Sequence, residues 1–216
     1  MNRLPEILQI IALSLRVSGL ATLVAVAIGM PIGALVGARR FRARNVAVAL
    51  IHTGFAFPPV VIGLFVFMFL SRGGPVGGLD LLFTPTAMVI AQAILAAPYV
   101  AGITLAAVQA VPADVPLQAR ALGATKLRAF ITQIREARLG LIAAIVAGFG
   151  AVISEVGAVM MVGGNIEGHT RVMTTAILIE TRKGNFSTAL VFGVVLLSIA
   201  FVVNLLLTRA QQRPYR

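Results

Sequence analysis

The sequence predicts an all-α polytopic membrane protein with five transmembrane helices and one cytoplasmic helical loop. The N-terminus is expected outside and the C-terminus in the cytoplasm. Three observations carry this. Of the 216 residues, 59% are hydrophobic and only 12% charged, against about 45–50% and about 25% in soluble domains. The mean hydropathy of +0.98 also excludes disorder, which needs low hydrophobicity. Finally, the charges are bunched between long apolar stretches.

Those stretches set the elements in order. Runs free of Asp, Glu, Lys and Arg cover 17–38, 45–71, 81–113 and 184–208; a further run, 139–166, holds one internal carboxylate, Glu155. Each exceeds the roughly 20 apolar residues that cross a bilayer. Spans are expected at about 13–38, 45–70, 84–111, 139–162 and 185–208, in a single transmembrane domain over 1–216. Arg3 and the apolar stretch from Leu4 could open a signal peptide, and Ala25-Val-Ala27 resembles a cleavage site. The run continues to Gly37, too long for a signal h-region, so it reads as an uncleaved first span.

In that span Gly29, Gly33 and Gly37 recur every four residues. Such a stripe lets two helix backbones approach closely; the plainer reading is that glycine is simply common in membrane helices. Pro31, Pro58, Pro59 and Pro98 lie inside apolar runs. Each removes a backbone donor and bends its helix, and the freed carbonyls must find protein or water. Such helices suit a cavity or a moving interior. Gly73-Gly-Pro-Val-Gly-Gly78 reads as a short outer loop.

Net charge is +11, which in a soluble protein would point to nucleic acid. Here the positive charges flank spans in small groups with no aromatic stacking platform, so nucleic acid is rejected as a partner. Arg39, Arg40, Arg42 and Arg44 follow span one. Arg120, Lys126, Arg128, Arg135 and Arg138 follow span three, and Arg209, Arg213 and Arg216 end the chain; together these are twelve of the eighteen. Alternate joints share a side, so the positive-inside rule places these three in the cytoplasm. Arg3, Arg16, Arg72, Arg171, Arg182 and Lys183 fall on the other side.

No catalytic or metal site is expected. The chain has no cysteine, which excludes disulfides and thiolate ligands within it. His52 and His169 fall on opposite sides by this topology and cannot share a metal or a triad. No phosphate-loop motif is present. No cofactor is expected on this chain, and any ATP would be used by a partner.

The joint at 114–138 is the most informative stretch. Leu127, Phe130, Ile131 and Ile134 fall at helical spacing, an amphipathic signature, with Lys126, Arg128 and Arg135 on other positions. Ahead of them Ala119, Ala121, Gly123 and Ala124 keep a short helix slim. Such a helix fits a groove on another protein or rests on anionic lipid; composition leaves both open.

Ala119-Arg-Ala-Leu-Gly-Ala124, with Phe130 seven residues after the glycine, resembles the coupling-loop motif of ABC importer permeases. In that motif an acidic-Ala-Ala triplet precedes glycine, and an apolar stretch ends in Leu-Pro. Here the triplet reads Leu117-Gln118-Ala119, and Arg135-Glu136 replaces Leu-Pro. The acidic contact with an ATPase must therefore be made differently or not at all. Ser14-Leu-Arg-Val-Ser18, Gly29-Met-Pro-Ile-Gly33 and Phe57-Pro-Pro-Val-Val-Ile-Gly63 resemble the first helices of the molybdate–tungstate–sulfate group. The stretch from Ile153 to Arg171, with the Arg-Glu-Ala-Arg run at 135–138, looks most like its tungstate-type branch.

The resemblance implies a type I importer permease in the inner or plasma membrane. Two copies would form the pathway for an oxyanion, tungstate first, then molybdate or sulfate. A cytoplasmic ATPase dimer and an extracytoplasmic solute-binding protein would be the partners. It implies ATPase coupling through Gln118, Ala119, Arg120, Ala121, Leu122, Gly123, Ala124 and Phe130. Glu155 would repel an anion. It is expected to shape an outer gate through a salt bridge or helix-end hydrogen bond with Arg171 or Arg182; a plain interfacial carboxylate and direct ion handling are the alternatives. Asn165 and Arg171 lie in a glycine-rich outer loop that could form an anion nest, contact the binding protein, or be only a turn. Thr174 and Thr175, on a short following helix, are candidates to line the pathway. An ion-coupled carrier and a membrane enzyme or scaffold are the rival readings.

Overall fold

A break after the first long helix and a bend at nearly every later joint organise the molecule. The computed structural model describes residues 4–39 and 41–212. Arg3, Arg40, Arg213 and Arg216, which enter the charge asymmetry, lie outside the described residues. In chain order the helices are α1 (Leu4–Ala38), α2 (Arg44–Phe55), α3 (Pro59–Leu70), α4 (Pro85–Ala110), α5 (Asp114–Ala121), α6 (Lys126–Glu136), α7 (Arg138–Ile153), α8 (Gly157–Gly163), α9 (Met173–Arg182) and α10 (Phe186–Gln212). Among the described residues there is no strand, so the all-α expectation holds.

Three helices, α1, α4 and α10, are each long and apolar enough to cross a membrane, and up to five crossings result if each of two bent pairs is one span. The helices depart from the bounds of the expected spans in three places. The first helix begins at Leu4, well before 13. The span expected at 45–70 is two helices bent by 97°. Pro58 has no amide to continue α2, and Pro59 occupies the first turn of α3, where that loss is harmless. The span expected at 139–162 breaks at 154–156, and α6 meets α7 at a 64° bend with only Ala137 between them.

α4 is the central element. Its most apolar stretch is 61% buried, against 39% for α1 and 11% for α10, which leaves α10 turned outward. Thr84 starts α4 by accepting the Ala87 amide at 3.4 Å, with Pro85 in the first turn. One side of α4 joins α3 and α8 through Met88, Leu95, Val159 and Val162. The other joins α1 and α7 through Ala25, Val100, Ala144 and Val152.

The glycine stripe explains the α1–α4 contact. A Cβ added at Gly29 would lie 2.5 Å from the Ala97 carbonyl oxygen, and one at Gly37 would lie 3.0 Å from that of Leu105. At Gly33 it would overlap the Ala101 carbonyl oxygen. Three glycines thus seat on three successive turns of α4, and the two backbones touch without intervening side chains.

Candidate functional site

The two helix breaks meet beside α4. At the first, the Tyr99 hydroxyl of α4 donates to the Phe55 carbonyl, 3.3 Å away, at the end of α2. Gly54 sits against the Pro98 ring, where any side chain would collide. At the second, Gln92 of α4 donates from Nε2 to the Val152 carbonyl at 2.9 Å. Gln92 and Tyr99 are seven residues apart and share one face of α4, so one helix secures both discontinuities. The short helices after the breaks pack together: a Cβ at Gly63 would lie 2.7 Å from Ala158 Cα, and one at Gly157 would lie 2.7 Å from Val60 Cγ2.

Glu155 belongs to the second break. Its Oε1 accepts the Ala158 amide at 3.0 Å, so the carboxylate caps the start of α8. Its own carbonyl accepts the Thr174 hydroxyl at 2.8 Å. The helix-end hydrogen bond is therefore present but its partner is a backbone amide. Among the described residues Glu155 makes no salt bridge. Arg171 instead faces Glu167 at 3.2 Å and Glu6 at 3.7 Å, and Arg182 is exposed at the end of α9. The expected pairing is corrected for a simple reason: Arg171 has two nearer carboxylates.

A variant series separates these roles. Glu155→Ala should cost about 0.5–2 kcal/mol of stability through the loss of a helix cap, and lower the unfolding midpoint accordingly. Glu155→Gln keeps a carbonyl acceptor and should recover most of it. Equal damage from both, measured by thermal unfolding in detergent, would show that the charge matters and the cap does not.

The glycine-rich loop after α8 is closed upon itself. The amides of His169, Thr170 and Arg171 all point at the Ile166 carbonyl, at 3.1, 2.9 and 3.0 Å. The fully buried Thr170 hydroxyl donates to the Gly163 carbonyl and accepts the Ile166 amide. An anion nest needs outward-facing amides, and these three are spent inward. Asn165 takes a left-handed conformation with φ +51°, and its Oδ1 is buried without a partner. Gln9 of α1 holds the loop by donating to the Gly168 carbonyl at 3.0 Å.

Thr174 and Thr175 also turn inward. Thr175 is fully buried and exchanges hydrogen bonds with the Val172 backbone, closing the start of α9. Thr174 is 7% exposed and holds Glu155. As expected pathway-lining groups they are corrected: within this chain neither hydroxyl faces open space, because both complete backbone hydrogen bonding at helix ends.

On the charged side, α5 ends in a Schellman motif. The Ala124 amide donates to Ala119, and the Gly123 amide to Arg120, both at 3.0 Å. Gly123 supplies the required left-handed residue at φ +88°, with open space around it. Thr125 then caps α6 by accepting the Arg128 amide at 3.3 Å. Gln118, Arg120, Ala121, Leu122 and Gly123 are exposed, and Ala119 and Ala124 half-buried. Leu122 is 89% exposed, with Leu117 and Leu127 also outside. Phe130 departs from the other expected coupling residues. It packs with Ile134 against Ala34, Val108 and Leu141 inside the chain, because α6 bends directly into α7 and must bury its inner stripe there.

The family described as "Binding-protein-dependent transport system inner membrane component" matches residues 29–214. The chain belongs to that family. It is 44% identical over 97% of its length to a probable anion ABC transporter permease protein of Haloferax volcanii, covering 93% of that protein. It is 41% identical over 96% of its length to the tungstate uptake system permease protein TupB of Peptoclostridium acidaminophilum, covering 91% of it. A molybdenum transport system permease protein, ModB, of Escherichia coli is 28% identical, over 93% of each chain. In fold, a chain of the MetNI methionine ABC transporter superposes with a TM-score of 0.78 at 17% identity, covering 97% of both.

This inner membrane component therefore fits a type I ABC importer permease, a multi-pass membrane protein. Its relatives are transport permeases and not enzymes. Gln92, Tyr99 and Thr170 are the structurally decisive polar residues that sequence reasoning passed over. For the first two the available signal was position: a glutamine and a tyrosine on one face of a charge-free span.

Proposed function

We propose that this chain is the membrane-spanning subunit of an ATP-driven importer of an oxyanion, tungstate first, then molybdate or sulfate. The observation that carries the reading is the 41% identity to a tungstate uptake permease over 96% of the chain. Two copies form the pathway, each a single domain over 1–216 with five crossings, the N-terminus outside and the C-terminus in the cytoplasm. A separate ATPase dimer binds and hydrolyses the ATP, and an external binding protein delivers the anion.

The cytoplasmic end of each subunit is α5, the Gly123 turn and α6. Exposed leucines at 117, 122 and 127 supply apolar contact area for an ATPase groove. Arg128, exposed beside these leucines, supplies positive charge in place of the missing acidic side chain. ATP-driven closure of the ATPases draws the two loops together. α6 passes this movement into α7 through the Ala137 bend, and α4 carries it to both helix breaks. The outer mouth opens to the binding protein and the inner one shuts; hydrolysis reverses the change. A carrier that works alone would need an ionisable relay in the membrane, and Glu155 is occupied in capping α8.

The test is uptake into liposomes holding the chain and its ATPase, with the binding protein and tungstate, molybdate or sulfate outside. The expected result is tungstate accumulation that requires ATP and both partners. Accumulation by the chain alone would sink the reading in favour of a carrier.

A further inference from the structure

Three cavities adjoin around the last turns of α1. One, of about 500 Å³, lies between the end of α1 and helices α5 and α6. Its lining includes Arg39, Arg120 and Lys126 and not a single carboxylate, over a floor of Ala38, Ala129 and Phe130. A second, of about 380 Å³, has only apolar walls, running from Val26 to Leu35 on α1 and from Phe130 to Leu141 across α6 and α7. Phe130 is a wall of both. The third, beside Leu35 and Phe41, shares Arg39 with the first and Leu35 with the second.

From Val26 to Leu35 is about 14 Å along a helix, close to the roughly 15 Å hydrocarbon depth of one leaflet. A basic hollow thus opens onto an apolar slot of leaflet depth. We infer that this is a binding site for one anionic phospholipid. Its phosphate sits among Arg39, Arg120 and Lys126, and an acyl chain lies along α1 between Leu35 and Val26. The inference rests on the proposed topology, in which α1 and α7 cross the membrane and α5–α6 is cytoplasmic. A soluble partner could reach the basic hollow but not the slot at Val26 and Met30. Because Phe130 and Lys126 belong to α6, the lipid would brace the coupling loop against α1.

The test uses the purified, delipidated chain in a neutral detergent, without ATPase or oxyanion, so a failure of uptake does not bear on it. Native mass spectrometry follows retention of dioleoyl phosphatidylglycerol against dioleoyl phosphatidylcholine. One phosphatidylglycerol per chain should be held under conditions that strip phosphatidylcholine. Arg39→Gln with Lys126→Gln should weaken its retention about thirtyfold, the effect of two basic side chains at an anionic headgroup. Leu35→Trp should weaken it by filling the slot while leaving the charges. Both variants alter exposed positions. Equal retention of the two lipids overturns the proposal. So does full competition by excess inorganic phosphate, which would make this a site for a free anion. A lipid-free chain dimer that separates in the Arg39/Lys126 variant would assign the cavities to a second copy and overturn it as well.

Discussion

Replacing Gly33 with leucine is expected to leave no folded chain in a detergent extract. A single added carbon there already overlaps the Ala101 carbonyl, which is backbone and has no rotamer to give way. α1 cannot retreat locally, since Gly29 and Gly37 lie against α4 on the turns either side. Overpacking costs about 1–3 kcal/mol even for small insertions. A leucine forced between two backbones should exceed about 4 kcal/mol, much of a total stability of about 5–15 kcal/mol. Gly19→Leu is the control on the same helix, because nothing lies within 4 Å of its added Cβ. Size-exclusion profiles and thermal midpoints should separate the pair. A monodisperse Gly33→Leu chain with the parental midpoint would mean that α1 and α4 do not touch as described.

Gly123→Val should abolish transport while sparing the fold. The residue sits at φ +88° in open space, so the valine meets no neighbour. It meets the left-handed conformation, which costs about 1–2 kcal/mol for an L-residue and more for a β-branched one. The Schellman closure of α5 opens, and the relation between α5 and α6 is lost. On the proposed function, tungstate uptake is expected to fall more than tenfold while ATP hydrolysis by the complex with the proposed ATPase persists. Gly123→Asn should restore much of the uptake, since asparagine accepts this conformation. Full coupling in the valine variant would remove the loop from the mechanism.

The long helices were legible because their signal is local. α1, α4 and α10 each carry a long charge-free run, over 17–38, 81–113 and 184–208, and the α2–α3 break is announced by Pro58-Pro59. The break at 154–156 has no such announcement. It is held by Gln92 and Thr174, 60 and 19 residues from the atoms they bind, and no local pattern carries that distance. Glu155 was legible as an unusual buried-span carboxylate, but not its partner. Charge arithmetic favours an arginine, whereas an adjacent helix start offers an amide with no search at all. Arg171 shows the same limit, since one of its carboxylates, Glu6, comes from the opposite end of the chain. The amphipathic stripe of α6 was read correctly as a pattern and incompletely as a surface. Phe130 and Ile134 go inward while Leu127 and Ile131 remain exposed.

The glycine seam between α1 and α4 also has a schedule. Gly37 is synthesised 68 residues before Leu105, its contact on α4. At about 5–20 residues per second, α1 waits roughly 3–14 s before the far end of its mate exists. A bare glycine face is well suited to that wait, because it offers lipid no polar side chain and a passing helix no knob to grip. Nascent chains arrested before residue 97 should therefore hold α1 with its glycine face still unpaired, although Val17 near its middle can already meet α3 and the start of α4.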